Sequence, residues 1–277
     1  MFIVMYMEMH QPRRVKSVVP PIINSMEDIV DEAEDRKVFE RVSKKCYRPL
    51  LGVLEKSFKE GFKTGLKVTG TLLEQMEKWD QPLLDQLEGL VAGGGVELVA
   101  GPYHHTLSFL LSREYYLKEV EEHVKRLEEL FGFRPKILAN PYLSYNDAVG
   151  EWINDLGFKA VIAEGASRIL GWRTSNLVYK HPKSGLRILL RNSKLSNELA
   201  FGLPHIEAGS FIDKTVRVDG QVVVIGLPAE TFGEFVPRET GVFRFLAQLP
   251  RELRRYPWAS FAPPSEVVEN CKPIDSF

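Results

Sequence analysis

Polar side chains that can bind or protonate a ligand follow several short apolar runs in this sequence. His10-Gln11 follows one run, Tyr103-His104-His105 follows another, and Glu164 and Glu230 follow two more. Imidazole, amide, phenol and carboxyl groups suit general acid–base chemistry, and beside aromatic rings they suit a polyhydroxylated neutral ligand such as a carbohydrate. The predicted ligand-binding residues are His10, Gln11, Tyr103, His104, His105, Tyr142, Glu164, Asn192, Glu230 and Trp258.

The apolar runs that carry these side chains are too short for helices and predict strands buried on both faces. Val222–Ile225 is the clearest run, because four consecutive β-branched residues precede the stretch that contains Glu230. The predicted strands are Phe2–Met9, Leu66–Val68, Val96–Ala100, Lys136–Ala139, Ala160–Ala163, Arg187–Leu190 and Val222–Ile225, with Phe261-Ala262 as a candidate eighth.

Helical patterns separate most of these strands. Residues 28–60 show apolar side chains at helical spacing with an interruption at Pro49, which predicts two helical segments. Ser112 is the expected N-cap of another helix. The remaining helices are predicted over 72–91, 112–131, 146–157 and 238–255, and the stretches 166–186 and 202–220 are predicted to be irregular loops over the mouth of a barrel.

Strands and helices alternate along the whole chain with no linker rich in Gly, Pro or Ser, which predicts one domain over residues 1–277. The predicted fold class is α/β, with the architecture of an incomplete TIM-like (β/α)7 barrel. An open doubly wound sheet is the alternative, although no predicted strand is followed by a GxGxxG or GxxxxGKS/T phosphate loop. In either fold the polar groups meet at the C-terminal ends of the strands.

Composition and charge exclude several classes of partner. The net charge of -1 provides no long-range field that would attract nucleic acid or an anionic membrane. Cys46 and Cys271 are far apart and form no CxxC, so neither a disulfide framework nor a cysteine metal site is predicted. Met1–Pro12 has no basic residue ahead of its apolar run, and Glu8 interrupts that run, which predicts a cytoplasmic protein without a signal peptide or membrane span.

Three of the six histidines follow predicted strands, and histidine is a common ligand of zinc. His104 and His105 are adjacent, so their side chains point apart in an extended chain, and no HxH, HxxH or HxxxH occurs. We therefore expect neither a metal nor another cofactor. A metal-dependent polysaccharide deacetylase is the least favoured of the functions considered.

Several longer motifs occur in order along the chain. They are His10–Pro12, Gly101–Leu107, Arg191–Phe201, Ala229–Glu234 and Pro264–Val267. Together these motifs resemble those of glycoside hydrolase family 57, particularly its α-amylase-like branch, over almost the whole chain. The resemblance implies an incomplete (β/α)7 barrel that acts on α-glucans by hydrolysis or glucan transfer with retention. It also implies a helical region after the barrel, which is expected to be largely absent here.

The resemblance also indicates where the family's two catalytic carboxyl groups would lie. In the family, a glutamate nucleophile follows the fourth strand, and an aspartate acid/base lies two residues before the Glu-Thr-Phe-Gly-Glu run. Tyr142 and Pro228 occupy these positions, and Phe235 replaces the histidine that ends the run. Retention requires two carboxyl groups about 5 Å apart. The resemblance therefore implies a catalytically impaired homologue.

Two functional hypotheses follow from this reading. The preferred hypothesis is that the protein binds α-1,4-glucan or a maltooligosaccharide, or acts as a partner or regulator of an active paralogue. A homo-oligomer is also expected, because a missing helical extension leaves barrel surface uncovered. The alternative is an active retaining glycosidase or glucanotransferase with a relocated carboxylate pair. Glu164 and Glu230 are the first candidates for that pair, and Glu198 and Glu234 are further ones.

Overall fold

The strand β1 (Phe2–Met9) forms the middle of the main sheet in the computed structural model, which describes residues 1–18 and 21–276. Three strands pair with it in parallel: β2 (Thr64–Val68), β8 (Val222–Pro228) and β11 (Ser260–Phe261). Its residues are buried almost throughout, as expected for a strand covered on both faces. The strand predicted over Phe2–Met9 is therefore confirmed.

Most of the remaining strands extend this sheet on both sides of β1, and two short ones lie apart from it. The remaining strands are β3 (Val96–Leu98), β4 (Ile137–Ala139), β5 (Ala160–Glu164), β6 (Val178–Lys180), β7 (Arg187–Arg191), β9 (Phe232–Gly233), β10 (Val236–Pro237) and β12 (Asp275–Ser276). The order is β12-β6-β7-β8-β1-β2-β3, with β5 also on β7 and β4 on β5. The pair β6 and β7 is antiparallel, and β9 and β10 form a separate small sheet.

The sheet has the predicted parallel character but does not form a closed barrel. Within the ranges 1–18 and 21–276, an isolated bridge from Ala100 to Leu138 is the only pairing between β3 and β4, so no continuous ladder joins these strands. The prediction of a single α/β domain built on a mainly parallel sheet is confirmed. The count of seven strand–helix units does not describe the sheet, since short strands such as β6 and β12 add to it.

Helices cover the outside of the sheet. They are α1 (Glu32–Val42), α2 (Arg48–Phe58), α3 (Gly70–Trp79), α4 (Gln81–Ala92), α5 (Arg113–Phe131), α6 (Asp147–Asp155), α7 (Ser167–Leu170), α8 (Ser193–Gly202), α9 (Ala208–Thr215), α10 (Val242–Leu253) and α11 (Pro264–Asn270). Ser112 caps α5 by accepting a hydrogen bond from the N–H of Tyr115, as predicted. In the described part of the chain, no helix is both long and apolar enough to span a membrane.

Three helix predictions differ from the structure. The helix predicted over 72–91 is two helices, α3 and α4, because Asp80 ends the first and caps the second through the N–H of Leu83. The two helical segments predicted over 28–60 are present as α1 and α2, but the π-helical turn Ser43–Tyr47 separates them, and Pro49 lies in the first turn of α2. The stretches predicted as loops, 166–186 and 202–220, contain α7, β6 and α9.

The alternation of side chains along β1 determines which residues reach the functional end of the sheet. Ile3, Met5 and Met7 pack with the outer helices, whereas Val4 and Tyr6 belong to the cluster inside the curved sheet. Side chains two residues apart lie on the same face of a strand. The next residue on the inner face is Glu8, at the C-terminal end of the strand.

Candidate active site

A cleft opens at the C-terminal ends of the parallel strands and contains a cavity of about 620 Å³. This volume is typical of small-molecule sites. The strand ends of β1, β5 and β8 contribute to the cavity, as predicted for a parallel sheet. Six of the predicted ligand-binding residues line the cavity: His10, Gln11, His105, Tyr142, Glu164 and Glu230.

Glu230 lies in the tight turn that follows β8, and its side chain is buried at the cavity wall. The Tyr47 hydroxyl donates a hydrogen bond to Glu230 Oε1 at 2.5 Å, and the backbone N–H of His10 donates another at 3.2 Å. Burial raises the pKa of Glu230 to about 7, and the two hydrogen bonds oppose this effect only in part. A substantial fraction of Glu230 is therefore protonated at neutral pH.

A short chain of hydrogen bonds fixes the tyrosine that contacts Glu230. Gln11 donates from Nε2 to the Tyr47 hydroxyl at 3.1 Å, and Arg14 donates to Gln11 Oε1 at 3.0 Å. Tyr47 itself is fully buried in the π-helical turn that joins α1 and α2. The predicted binding residue Gln11 thus has both ends of its amide engaged by protein groups and acts through Tyr47 on the orientation of Glu230.

Glu8 projects from β1 into the same cavity. Lys67 Nζ and the Tyr6 hydroxyl each lie 3.1 Å from Glu8 Oε2, and His105 Nε2 lies 3.2 Å from Oε1. Burial alone would raise the pKa of Glu8, but the positive charge of Lys67, the electrostatic influence of the nearby His105 ring and the hydrogen bonds from Lys67 and Tyr6 outweigh it, so the pKa is lowered from 4.5. Glu8 is therefore ionised at neutral pH.

Sequence reasoning missed Glu8 and Lys67. The signal that identifies them is a pair of opposite charges within two otherwise apolar strands, since a charge in a buried strand needs a partner. In the parallel pairing of β1 with β2, Glu8 lies directly opposite Lys67. Lys67 is completely buried, so Glu8 is its counterion rather than a solvated residue that interrupts an apolar run.

Two histidines stack beside this ion pair. The ring centroids of His10 and His105 are 4.4 Å apart, and the ring of Tyr142 lies 6.0 Å from that of His105. Burial lowers the pKa of both histidines to about 4, so both are neutral at pH 7. Lys67 can only donate and lies 3.5 Å from His105 Nδ1, which assigns Nδ1 as the acceptor and Nε2–H as the donor to Glu8.

Glu164 is held by an ion pair at the opposite side of the cavity. Arg191 Nη1 lies 3.1 Å and 3.3 Å from the two carboxylate oxygens, and the Ser193 hydroxyl donates a further hydrogen bond to Oε1. Arg191 also donates to the carbonyl of Gly226 at 2.9 Å, which fixes its guanidinium across the end of β8. Arg191 and Ser193 therefore hold the Glu164 carboxyl group in a fixed position at the cavity wall.

Tyr103 and His104 do not line this cavity, although the sequence places them after a strand. The Tyr103 hydroxyl donates to Glu74 Oε1 at 2.7 Å, and the His104 ring lies 2.8 Å from Glu119 Oε1. The hydrogen bond to Glu119 raises the pKa of His104 despite the opposing effect of burial. Of the three consecutive residues that start with Tyr103, only His105 turns inward, with a positive φ of 59°.

Asn192 and Trp258 also lie outside the cavity. Asn192 is buried as the N-cap of α8, where Oδ1 accepts from the N–H of Leu195 and Nδ2 donates to Asn176. Trp258 is exposed. Its backbone carbonyl accepts a hydrogen bond from the amino group of Met1, which places it beside the N-terminal end of β1. The cleft lies at the other end of β1, so the predicted sugar contact of Trp258 has no support from its position.

The chain matches a known protein family over almost its whole length. The model of the family described as Glycosyl hydrolase family 57 matches residues 4–276. The chain belongs to glycoside hydrolase family 57. A curated relative named "Putative alpha-amylase" from Methanocaldococcus jannaschii is 36% identical over 283 residues, which cover 99% of this chain and 60% of that protein. The family 57 chain described here thus spans about three-fifths of the length of that relative.

Solved structures show the same fold. The 4-alpha-glucanotransferase from Thermococcus litoralis superposes with a TM-score of 0.80 at 17% identity, covering 99% of this chain and 41% of that chain. The GH57-type branching enzyme from Pyrococcus horikoshii superposes with a TM-score of 0.75 at 16% identity, covering 99% and 71%. At these identities the likeness establishes the fold of this family 57 member and not its reaction.

No metal centre is apparent in the family 57 fold described here. Within residues 1–18 and 21–276, no three His, Cys, Asp or Glu side chains come close enough together to hold a metal ion. His123, a further buried histidine, is occupied by the backbone: its Nε2 lies 2.8 Å from the carbonyl of Val68. The absence of a cofactor stays a prediction.

Replacing Glu230 by glutamine is expected to stabilise this family 57 protein increasingly as the pH rises. In the wild type the folded-state pKa of Glu230 is raised to about 7. The contribution of its protonated form to the free energy of unfolding is therefore fully present below pH 4.5 and is lost as the pH rises through 7. Glutamine keeps the acceptor for Tyr47 without a charge to bury. The gain should grow from about 1 kcal/mol at pH 5 to about 3 kcal/mol at pH 8.5. Urea denaturation at both values measures it, and a pH-independent difference would contradict it.

Proposed function

We propose that this protein binds a neutral α-glucan in its cleft and that the two carboxylate positions of the family reaction carry no reacting carboxylate in this chain. Family membership supports a glucan, since the similar structures include a 4-alpha-glucanotransferase and a branching enzyme. The motif resemblance assigns Tyr142 and Pro228 to the family's nucleophile and acid/base positions. Both residues line the cavity.

The pairing of charges in the cleft is the observation that carries this proposal. Each of the three arginines lining the cavity faces a carboxylate: Arg14 faces Asp35 at 3.1 Å, Arg41 faces Glu234 at 2.9 Å, and Arg191 faces Glu164 at 3.1 Å. A cleft for an anionic ligand would leave some cationic groups unpaired. The neutral histidines, Gln11 and Glu230 also line the cavity, and such groups suit the hydroxyl groups of a sugar.

The rim of the cavity supplies the aromatic surface that sugar faces prefer. Tyr142 is 77% exposed and Phe235 is 65% exposed, and both line the cavity without filling it. Tyr142 holds this outward position through a left-handed backbone conformation with a φ of 56°. Tyr142 and Phe235 therefore frame an open mouth, which supports ligand entry rather than a barrel plugged by its own side chains.

Calorimetric titration with maltoheptaose tests the proposal. We expect Tyr142→Ala and Phe235→Ala each to weaken binding by up to about tenfold, since an aromatic contact contributes about 0.5–1.5 kcal/mol. Trp172→Ala is the matched control, because Trp172 is 88% exposed and does not line the cavity. Cellohexaose, a β-linked glucan of similar length, should bind less well. No heat with maltoheptaose, or equal losses in all three variants, would contradict a sugar site at this rim.

A further inference from the structure

Two carboxyl groups reach the cavity from neighbouring strand ends. Glu8 lies at the end of β1, and in the parallel pairing of β1 with β8 it lies opposite Pro228. Glu230 follows Pro228 by two residues, and the backbone N–H of His10, two residues after Glu8, donates to it. Both carboxyl groups therefore line the same cavity. A hydrogen bond from the backbone N–H of His10 connects the end of β1 to Glu230.

The environments of these two groups hold them in opposite protonation states. Glu8 receives three donors, from Lys67, Tyr6 and His105, which favour the carboxylate. Glu230 is buried, and both of its hydrogen bonds fall on Oε1, so Oε2 accepts from no other residue in the ranges 1–18 and 21–276. The charge of Glu8 itself adds to the rise in the pKa of Glu230. When the environments of two carboxyl groups move their pKa values apart, one group can act as an acid while the other is an anion.

The other carboxylates of the cavity are less suited to these roles. Glu164 is fixed by Arg191 and Ser193. Glu234 pairs with Arg41 through Oε1, and its Oε2 is buried without a hydrogen-bond partner among residues 1–18 and 21–276. Each of these two groups is paired with an arginine, so Glu230 and Glu8 are the better placed acid and nucleophile in this cavity.

We propose that Glu230 and Glu8 form a relocated acid and nucleophile pair that hydrolyses the α-glucosidic bond in this cleft. The inference rests on the proposed function, because it needs a glucan in the same cavity. It assigns a reaction to residues that do not occupy the family's two catalytic positions. Glu8 in particular comes from β1 and not from the fourth strand.

The reaction balances as a double displacement. In the first step the Glu230 carboxyl gives its proton to the glycosidic oxygen, the bond from that oxygen to C1 breaks, and a Glu8 oxygen bonds to C1. In the second step the Glu230 carboxylate takes a proton from water, the water oxygen bonds to C1, and the ester to Glu8 breaks. Both carboxyl groups return to their starting states, and the product keeps the α configuration.

The pH dependence follows from the groups that surround Glu230. Tyr47 and Cys46 pack against it from the helix side, and Glu8 and His10 face it from β1. None of these carries a positive charge at neutral pH, since burial lowers the pKa of His10 to about 4. Turnover should therefore decline as the pH rises through about 7, where Glu230 loses the proton that the first step needs.

The experiment compares two substrates that differ in their need for an acid. On maltoheptaose we expect Glu230→Gln to lower kcat/KM by about 10²–10³-fold, whereas on 2,4-dinitrophenyl α-maltotrioside the loss should be slight because that leaving group departs unprotonated. Glu8→Gln should lose turnover on both substrates. A double variant, Glu8→Gln with Lys67→Met, removes the buried charge of both partners and so guards against misfolding of the single variant. Glu97→Gln is the matched control.

Glu97 suits this purpose because it is also buried, and burial raises its pKa to about 7, yet it does not line the cavity. Calorimetric binding of maltoheptaose is measured for every variant, and proton NMR identifies the first anomer released. Loss of turnover with retained binding and an α product supports the pair. Binding by the wild type without any turnover overturns the pair and leaves the proposed function standing. Turnover unaffected by either substitution, or a β product first, also overturns it, and absence of binding removes both proposals.

Discussion

Replacing Lys67 by methionine is expected to lower the free energy of unfolding by about 3–5 kcal/mol at pH 7.5. Lys67 has no solvent-exposed side-chain surface, and its ammonium lies 3.1 Å from Glu8 Oε2. Without it, Tyr6 and His105 are the donors that remain for the Glu8 carboxylate among the described residues. A buried charge that loses its partner costs more than the pair itself contributes, so this variant should be among the least stable.

The effect should depend on pH in a defined direction. In the wild type the pKa of Glu8 is lowered, so its contribution is present above pH 4.5 and is lost as the pH falls. In the variant, protonation of Glu8 relieves the penalty, and the deficit should shrink toward pH 4.5. Urea denaturation at pH 7.5 and pH 4.5 measures this difference. Urea is uncharged, so it adds no salt that would screen the charges.

Two further variants serve as controls for Lys67→Met. Adding Glu8→Gln should recover most of the lost stability, because no uncompensated charge then remains. Lys63→Met removes a similar ion pair, 3.0 Å from Lys63 to Glu266, at a position where both side chains are more than one-third exposed, and should cost at most about 1 kcal/mol. If Lys67→Met lost no more stability than Lys63→Met, the buried pair of Lys67 and Glu8 would matter no more to folding than an exposed ion pair, and the prediction would be wrong.

Replacing Gly233 by alanine is expected to destabilise the fold by about 3 kcal/mol or more and to disorganise the cleft. Gly233 has a φ of 104°, which side chains rarely adopt, and a Cβ there would lie 2.1 Å from the carbonyl oxygen of Lys45. The obstacle is backbone, so it cannot rotate away. Gly233 follows Glu230 and precedes Phe235 in the same loop, and a shift of this loop would move both into or out of the cavity.

Gly132→Ala separates strain from collision in this test. Gly132 also has a positive φ, 60°, but no atom of the described residues lies within 4 Å of the added Cβ. Only the backbone preference is therefore lost, about 1 kcal/mol. Thermal unfolding and maltoheptaose binding are measured for both variants. Gly233→Ala should lose binding, whereas Gly132→Ala should keep it. Equal stability losses in the two variants would show that the contact with Lys45 does not restrict the loop.

Much of the site could be predicted from the sequence. Local apolar runs identify the strands, and parallel strands all end at the same edge of the sheet. Val222–Ile225 is a strand at the core, and the turn after it carries Glu230 into the cleft. His10 and His105 follow other strand ends and meet there for the same reason. The stretch 202–220 was not predictable in this way, since the apolar spacing of α9 is short and lies next to residues typical of loops.

The sequence by itself determined the fold class, the family and the strand ends from which the site is built, because these depend on periodicity and on residues adjacent in the chain. Only the tertiary structure decided which groups are charged. The register of β1 on β2 places Glu8 against Lys67, and packing of Tyr47 against Glu230 buries a carboxyl 183 residues away. A pKa depends on burial and on charges brought together across the fold, and no local pattern carries that information.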